Sequence, residues 1–178
     1  GMAIILEDVK GRSIADYVQE NTLSLVDKMI IAIQMVDAII QVHTKSIIHK
    51  DINPRNFIIN PNEDSVKIID FGIATELPKE ITSVKNPNVL EGTLAYISPE
   101  QTGRMNRAID YRTDFYSFGV SLYWMLTGVL PFTSNELLEL VHCHIAVKPA
   151  PPHEVNEAVP VPVSDIVMKL MEKNAEDR

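Results

Sequence analysis

Residues 49–56 of the chain read HKDINPRN, and residues 70–72 read DFG. These segments contain two aspartates, Asp51 and Asp70, and one amide, Asn56, which lies five residues after the first aspartate. Transfer of a phosphoryl group needs such a set, because one carboxylate accepts the proton of the attacking hydroxyl while an amide oxygen and a second carboxylate hold magnesium. The spacing therefore predicts phosphoryl-transfer chemistry, with Asp51 as the base and Asn56 and Asp70 as the metal ligands.

Short apolar runs beside these segments must position them. Residues 57–59 and 66–69 are strand-like, and the intervening NPNED at 60–64 is typical of a turn. We therefore predict a hairpin that carries Asn56 and Asp70 at its adjacent open ends. Without such support, an isolated D-x-x-x-x-N would fit a solvent-exposed turn equally well.

Two long helices are predicted around the hairpin. In residues 24–43, with Ser24 placed as the N-cap, apolar side chains recur at three- and four-residue steps, which indicates a long buried helix. A second, central helix is predicted from Thr113 or Asp114 to about Thr127. The residues that define the predicted buried face of the first helix are Val26, Met29, Ile30, Ile33, Val36 and Ile40.

The composition fits one globular domain. Of the 178 residues, 46% are hydrophobic and 22% are charged, and the formal net charge is -8. That charge argues against a nucleic-acid or anionic-membrane surface, because both need clustered lysine and arginine. The longest apolar stretch, 29–40, is interrupted by Gln34 and Asp37 and is too short for a membrane span. The single cysteine, Cys143, is compatible with a reducing compartment, and we expect a cytoplasmic location.

Three further segments extend the pattern toward the C-terminus. Residues 91–100 read EGTLAYISPE, residues 114–119 read DFYSFG and residues 130–132 read LPF. Together with DFG and with HKDINPRN, which would be the catalytic loop, they resemble the eukaryotic-type protein kinase family. In this resemblance the SPE at 98–100 stands where that family has A-P-E.

The resemblance implies a fold and a domain organisation. Residues 1–178 would be the C-terminal lobe of a protein kinase catalytic domain, with a hinge at 6–11 and no N-terminal lobe. Such a lobe is mainly α (α+β): a helical bundle with a small β-hairpin that carries the catalytic loop. Within it, Asp114 would anchor the backbone of the catalytic loop, and Glu100 would pair with Arg178.

The resemblance also implies the cofactors ATP and Mg2+ and a set of nucleotide contacts. Leu6 would end the fifth strand of a complete kinase, and the backbone of Glu7 and Val9 would hydrogen-bond the adenine. Ile58 would form the floor under the base. Thr93 matches the threonine that contacts the catalytic aspartate in Ser/Thr kinases, so we expect a protein substrate with a serine or threonine acceptor.

Three residues of the catalytic loop depart from the pattern of Ser/Thr kinases. Asn53 occupies the position of a lysine that touches the transferring phosphate, and it brings no charge. Arg55 stands where tyrosine kinases supply an arginine, so it either restores that charge or simply faces solvent. Lys50 replaces the usual arginine before the aspartate, and a lysine lacks the bidentate fork that grips an activation-loop phosphate.

The sequence contains no match to the segments that cover the nucleotide in a complete kinase. It has no Gly-rich loop and no strand lysine in a V-A-I-K context. We therefore expect this chain alone to bind ATP weakly and to transfer phosphate negligibly, because catalysis depends on accurate positioning. The uncovered cleft is also expected to favour self-association.

Several segments are similar to one subgroup of the family. HKDINP at 49–54, LEGTLAY at 90–96 and QTGRMNR at 101–107 look like the kinase module at the front of large bacterial sensor proteins. That resemblance implies fused sensor, ATPase-like and histidine kinase domains as partners in bacterial signalling.

Two other functions are compatible with the sequence. One is a pseudokinase-like regulatory module that docks partner domains without catalysis, as Asn53 and Lys50 suggest. The other is a small-molecule phosphotransferase of the aminoglycoside or choline type, whose catalytic loop has the same H-x-D-x-x-x-x-N pattern. Those enzymes lack the segment equivalent to 92–100, which accepts a peptide in protein kinases.

Overall fold

The computed structural model of the protein describes residues 10–61, 65–72, 74–76, 94–105 and 107–178. Helices dominate this part of the chain and the strands are short, so the mainly α (α+β) fold predicted from the sequence is confirmed. Of the residues assigned roles above, Leu6, Glu7, Val9 and Thr93 lie outside the described ranges.

The elements of the described residues follow in chain order. The helices are α1 (Ile14–Glu20), α2 (Leu25–His43), α3 (Arg112–Thr127), α4 (Leu137–Ala146), α5 (Pro152–Val155) and α6 (Val161–Leu170). The strands are β1 (Arg12–Ser13), β2 (Ile47–Ile48), β3 (Phe57–Asn60), β4 (Ser65–Ile68) and β5 (Thr75–Glu76). Short 3-10 segments lie at Leu94–Tyr96, Pro99–Thr102 and Ala175–Asp177. None of the helices in these ranges is both long and apolar enough to cross a bilayer.

The helix predicted after Ser24 is confirmed as α2. Ser24 caps it through a reciprocal pair of contacts. Its side chain accepts from the backbone N–H of Asp27 at 3.2 Å, and the Asp27 carboxylate accepts from the backbone N–H of Ser24 at 2.9 Å. The carboxylate in the first turn also complements the helix dipole. Local contacts therefore fix the start of the helix that leads to the catalytic loop.

The buried face of α2 is not the face that the sequence pattern predicted. Five of the six residues assigned to the core are exposed, by 36% to 65%, and the sixth, Met29, is half-buried. Because both faces of this helix are apolar, periodicity alone could not select the face that packs on β4 and α3. The exposed residues are Val26, Ile30, Ile33, Val36 and Ile40. The core-facing residues are Ile31, Ala32, Met35, Ala38, Ile39 and Val42.

The predicted hairpin is confirmed by β3 and β4, which pair antiparallel with Phe57 opposite Ile68 and Ile59 opposite Val66. β1 extends the sheet beyond β3, so the strand order is β1-β3-β4 in the described residues. Gly11 precedes β1 where a Cβ atom would lie 2.5 Å from the carbonyl oxygen of Ile59, so a side chain does not fit there. β2 and β5 pair separately.

α3 is the central helix, as predicted, and it ends at Gly128, which has a φ of 80°. Twelve of its 16 residues are buried, so this helix is surrounded by the rest of the fold. Gly119 allows α6 to approach closely, because a Cβ atom there would lie 2.8 Å from the Cβ atom of Leu170. The first turn of α3 places Asp114 inside the protein, beneath the catalytic loop.

Two isoleucines of α2 provide a matched test of this packing. Ile39 is 3% exposed and Ile33 is 60% exposed. We expect Ile39→Ala to lower the free energy of unfolding by about 2–5 kcal/mol, because it leaves a cavity in the core. Ile33→Ala should change it by less than about 0.5 kcal/mol. Urea denaturation followed by circular dichroism measures both values, and equal losses would contradict the assignment of the two faces.

Candidate active site

The catalytic loop brings two side-chain amides onto the carboxylate of Asp51. The Asn56 side-chain nitrogen donates to Asp51 Oδ2 at 2.9 Å and to the Asp51 carbonyl oxygen at 2.8 Å. The Asn53 side-chain nitrogen donates to Asp51 Oδ1 at 3.0 Å, while its oxygen accepts from the backbone N–H of Arg55. Both carboxylate oxygens of Asp51 therefore accept a hydrogen bond, which fixes the orientation of this side chain.

His49 ties the catalytic loop to the segment that carries Asp70. Its Nδ1 accepts from the backbone N–H of Asp51 at 3.3 Å, and its Nε2 lies 3.0 Å from the carbonyl oxygen of Ile69. These partners fix the tautomer, because an N–H can only donate and a carbonyl can only accept, so the proton is on Nε2. The buried ring also packs edge-on against Phe71, with ring centroids 4.8 Å apart.

The hairpin brings Asp70 next to Asn56. The backbone N–H of Ile69 donates to the Asn56 carbonyl oxygen at 2.9 Å, which extends the β3–β4 ladder by one step. Asp70 follows with a φ of 60°, and its Oδ1 accepts from the backbone N–H of Gly72 at 3.2 Å. A left-handed backbone is uncommon outside glycine and is concentrated at functional sites. The structure thus brings Asp51, Asn56 and Asp70 to one end of the hairpin.

The carboxylate of Asp114 holds the start of the catalytic loop from below. Its Oδ2 accepts from the backbone N–H of His49 at 2.9 Å, and its Oδ1 accepts from the backbone N–H of Lys50 at 2.8 Å. The anchoring contact predicted for Asp114 is therefore present. His43, at the end of α2, adds a third contact, with Nε2 at 2.7 Å from Asp114 Oδ2. Lys50 has a φ of 68°, so the anchored backbone is left-handed.

The electrostatic surroundings of Asp51 suit a proton acceptor. Burial raises the pKa of the Asp51 carboxyl above its ordinary value of 3.8. The hydrogen bonds from Asn56 and Asn53 oppose this rise in pKa, and the negative charge of Asp70 adds to it. A carboxylate with a raised pKa is a stronger base.

Arg55 is exposed at the rim of the catalytic loop. Burial raises the pKa of Tyr96 to about 12, and the positive charge of Arg55 opposes that rise. The Arg55 side chain is therefore solvent-facing and is also within electrostatic reach of the Leu94–Tyr96 segment.

Ile58 lies on the face of β3 that is turned away from the core. Its neighbours Phe57 and Ile59 are buried, whereas Ile58 is only half-buried. Because side chains alternate along a strand, Ile58 points to the opposite face of the sheet from these two residues. Its assignment as the floor of an adenine site stays a prediction.

The ion pair predicted between Glu100 and Arg178 is present. Two hydrogen bonds of 2.5 and 2.8 Å join the guanidinium to the carboxylate, and both side chains are buried. Arg178 also donates to the carbonyl oxygen of Arg112 and lies over the ring of Tyr116, 5.0 Å from its centroid. The pair therefore fastens the Pro99–Thr102 segment to α3.

The sequence pattern does not single out two residues that hold the site. His43 contacts Asp114, which lies 71 positions along the chain. Gln101 donates from its side-chain nitrogen to the carbonyl oxygen of Lys50 at 2.7 Å, across 51 positions. No local signal could have identified either residue, because both contacts exist only once distant segments are folded together.

The similarity of this chain to known proteins agrees with the kinase-like motifs identified in its sequence. The family model described as Protein kinase domain matches residues 1–178. A protein of Clostridium perfringens named as a probable serine/threonine-protein kinase is 35% identical over 176 residues, which cover 98% of this chain and 25% of that protein. The serine/threonine-protein kinase PknB of Mycobacterium leprae is 33% identical over 176 residues, which cover 98% of this chain and 28% of that protein. The chain thus spans about a quarter of the length of these relatives.

Two aspartates near the start of α3 test the anchoring of the loop. Asp114 is fully buried, whereas Asp110 forms a partly exposed pair with Arg112. We expect Asp114→Asn to lower the free energy of unfolding by about 2–4 kcal/mol, because the substituted amide leaves a buried donor without its acceptor. Asp110→Asn should lower it by no more than about 1 kcal/mol. Urea denaturation at neutral pH distinguishes the two variants. An unchanged free energy of unfolding in the Asp114→Asn variant would contradict the anchoring role.

Proposed function

Because the chain belongs to the protein kinase domain family, we propose that it supplies the catalytic base and the magnesium ligands of a protein serine/threonine kinase. The observation that supports this most strongly is the convergence of Asp51, Asn56 and Asp70 at one end of the hairpin. The proposed reaction transfers the terminal phosphoryl group of ATP to a serine or threonine hydroxyl of a protein.

The donor atoms at this end of the hairpin fit magnesium. Asp70 offers a carboxylate, and Asn56 offers its amide oxygen, because its amide nitrogen is already committed to Asp51. Magnesium takes few oxygen ligands from a protein when phosphates and water complete its shell. When bound together with ATP, the ion would neutralise the negative charge of the phosphoryl group.

Asp51 would accept the proton of the acceptor hydroxyl. Its two carboxylate oxygens are oriented by Asn53 and Asn56, and its raised pKa makes it a stronger base than an ordinary aspartate. The hydroxyl oxygen would form a bond to phosphorus as the bond to the leaving ADP breaks. The energetic contribution of the protein is then mostly positioning and electrostatic stabilisation.

We assign different roles to two of the three residues that depart from the Ser/Thr kinase pattern in the catalytic loop. Asn53 donates to the Asp51 carboxylate, so it positions the base instead of reaching a phosphate. Arg55 would supply the positive charge that the missing lysine provides in other Ser/Thr kinases. The exposed side chain of Arg55 and its electrostatic effect on the pKa of Tyr96 support this assignment.

The nucleotide and acceptor contacts rest on the family resemblance. Adenine would bind over Ile58 and against the backbone of Glu7 and Val9 in the proposed hinge at 6–11, with Leu6 at the edge of the pocket. Thr93 would contact Asp51 and favour serine and threonine acceptors over tyrosine.

We also propose that the catalytic unit works within a longer cytoplasmic protein. The sequence contains neither a Gly-rich loop nor a strand lysine, and the chain spans about a quarter of the length of its relatives. The resemblance to bacterial sensor proteins suggests fused sensor, ATPase-like and histidine kinase domains as partners. The isolated chain, as the C-terminal lobe at 1–178, would then bind ATP weakly and tend to self-associate.

A docking module without catalysis is the second candidate function. The exposed apolar residues of α2 favour it, because contiguous exposed apolar surface often marks a site of protein interaction. The uncharged Asn53 in the catalytic loop points in the same direction. This candidate requires neither magnesium nor ATP, so ligand binding separates it from the kinase.

Metal-dependent nucleotide binding tests the proposed metal ligands. In the full-length protein that contains this chain, we expect Mg-ATP, but not ATP with EDTA, to raise the melting temperature. At a hundredfold excess over Kd the stabilisation is about 2.7 kcal/mol. The fused ATPase-like and histidine kinase domains would also bind ATP, so the shift is read on the melting transition of the kinase domain. Asp70→Ala should abolish the magnesium-dependent part of that shift, whereas Asp165→Ala, at an exposed position of α6, should retain it. No shift in the wild-type protein would favour the docking module.

Phosphate transfer from radiolabelled ATP tests the proposed base. Asp51→Asn should reduce transfer to serine and threonine hydroxyls by the full-length protein by at least about a hundredfold, because the amide cannot accept the hydroxyl proton. The base must be ionised, so kcat/KM should fall as the pH drops through the pKa of Asp51, which lies above the ordinary value of 3.8. Full activity of Asp51→Asn would contradict the assignment. Robust Asp51-dependent turnover by the isolated chain would contradict the need for further segments.

A further inference from the structure

The side chain of Gln101 joins the catalytic loop to the segment that follows residue 94. Its Nε2 donates to the carbonyl oxygen of Lys50 at 2.7 Å. Its Oε1 accepts from the backbone N–H of Ser98 at 3.1 Å and from the Ser98 hydroxyl at 3.0 Å. One amide therefore bridges two parts of the chain that both border the proposed active site.

Chemistry fixes the orientation of the Gln101 amide. The Lys50 carbonyl oxygen can only accept, so it must face the NH₂ group. The backbone N–H of Ser98 can only donate, so it must face the amide oxygen. Glutamine is one of the few side chains that carry a donor and an acceptor at this reach. An ionised glutamate has two acceptors and cannot serve the Lys50 carbonyl.

The contact with Gln101 completes the restraint on Lys50. The backbone N–H of Lys50 is held by Asp114 at 2.8 Å, and its carbonyl oxygen is held by Gln101 at 2.7 Å. Lys50 has a left-handed backbone with a φ of 68°, a strained conformation that persists only when the surroundings enforce it. The Lys50 carbonyl belongs to the peptide that joins Lys50 to Asp51, so the contact with Gln101 fixes the peptide plane next to the proposed base.

Gln101 also closes a ring of contacts around the loop. The Ser98 hydroxyl, which is fully buried, hydrogen-bonds the hydroxyl of Thr113 at the start of α3. Thr113 is followed in the chain by Asp114, whose carboxylate accepts a hydrogen bond from the backbone N–H of Lys50. The path Lys50, Gln101, Ser98, Thr113, Asp114 is thus continuous. In such a ring, each contact limits the freedom of the others.

We propose that Gln101 is a positioning residue for Asp51. Through its contact with Lys50, Gln101 keeps the catalytic base in a fixed position relative to the 94–102 segment. This inference rests on the proposed kinase function, in which that segment lies beside the protein acceptor. Gln101 acts through Lys50 and touches neither ATP nor the hydroxyl. Its loss should therefore lower kcat and leave the KM for ATP unchanged.

Two nearly isosteric variants in the full-length protein test the proposal. Gln101→Glu removes the donor to Lys50 but keeps an acceptor for Ser98, and Gln101→Met removes both. We expect each to lower kcat about tenfold to a hundredfold at pH 8, with an unchanged KM for ATP. As the pH falls toward 5, the Gln101→Glu deficit in kcat relative to wild type should shrink, because the glutamate carboxyl, with an ordinary pKa of about 4.3, becomes partly protonated and can then donate to the Lys50 carbonyl. The Gln101→Met deficit should stay constant.

A wild-type kcat in both variants would overturn the proposal. Deficits in kcat that change with pH in the same way in both variants would also overturn it. A second readout does not depend on catalysis: hydrogen exchange at the amides of Asp51 and Ile52 should be faster in both variants than in wild type. Unchanged exchange would also overturn it. If wild-type protein shows no Asp51-dependent transfer, the proposed kinase function fails, and the exchange measurement still decides whether Gln101 restrains the loop.

Discussion

The buried carboxylate of Asp114 is the constraint on which the catalytic loop depends. Removing a carboxylate from water costs several kcal/mol, and only well-placed hydrogen bonds offset that cost. Here the donors are the backbone N–H groups of His49 and Lys50 and the ring of His43, all within 2.9 Å. The loop must therefore follow a path that presents two consecutive N–H groups to the first turn of α3. That path sets the position of Asp51.

The path is not a relaxed one. Two residues of the proposed site have a left-handed backbone: Lys50, which directly precedes Asp51, and Asp70, which itself supplies the second carboxylate. Neither is a glycine, so this conformation is maintained at a cost by the surrounding contacts. Asp114 and Gln101 hold Lys50 from both sides. The stability of the helical bundle is thus used to keep the loop in a conformation that it would not adopt alone.

α2 shows how much of the fold a pattern can predict. Its start can be predicted from the pair Ser24 and Asp27, because a capping box involves only neighbouring residues. Its buried face cannot be predicted from neighbouring residues. Both the face with Ile39 and the face with Ile33 are apolar, and the fold buries only the first. The choice depends on which face fits β4 and α3, and those elements lie elsewhere in the sequence.

The sequence by itself determined which residues of the proposed site come together. Asp51, Asn53 and Asn56 lie within six consecutive positions, and a short hairpin brings Asp70 to the same end, so their proximity follows from local geometry. Only the tertiary structure decided what holds them. His43 and Gln101 act across 71 and 51 positions, and such contacts form only after the entropy of closing long loops has been overcome by packing elsewhere. No short motif can encode a partner at that distance.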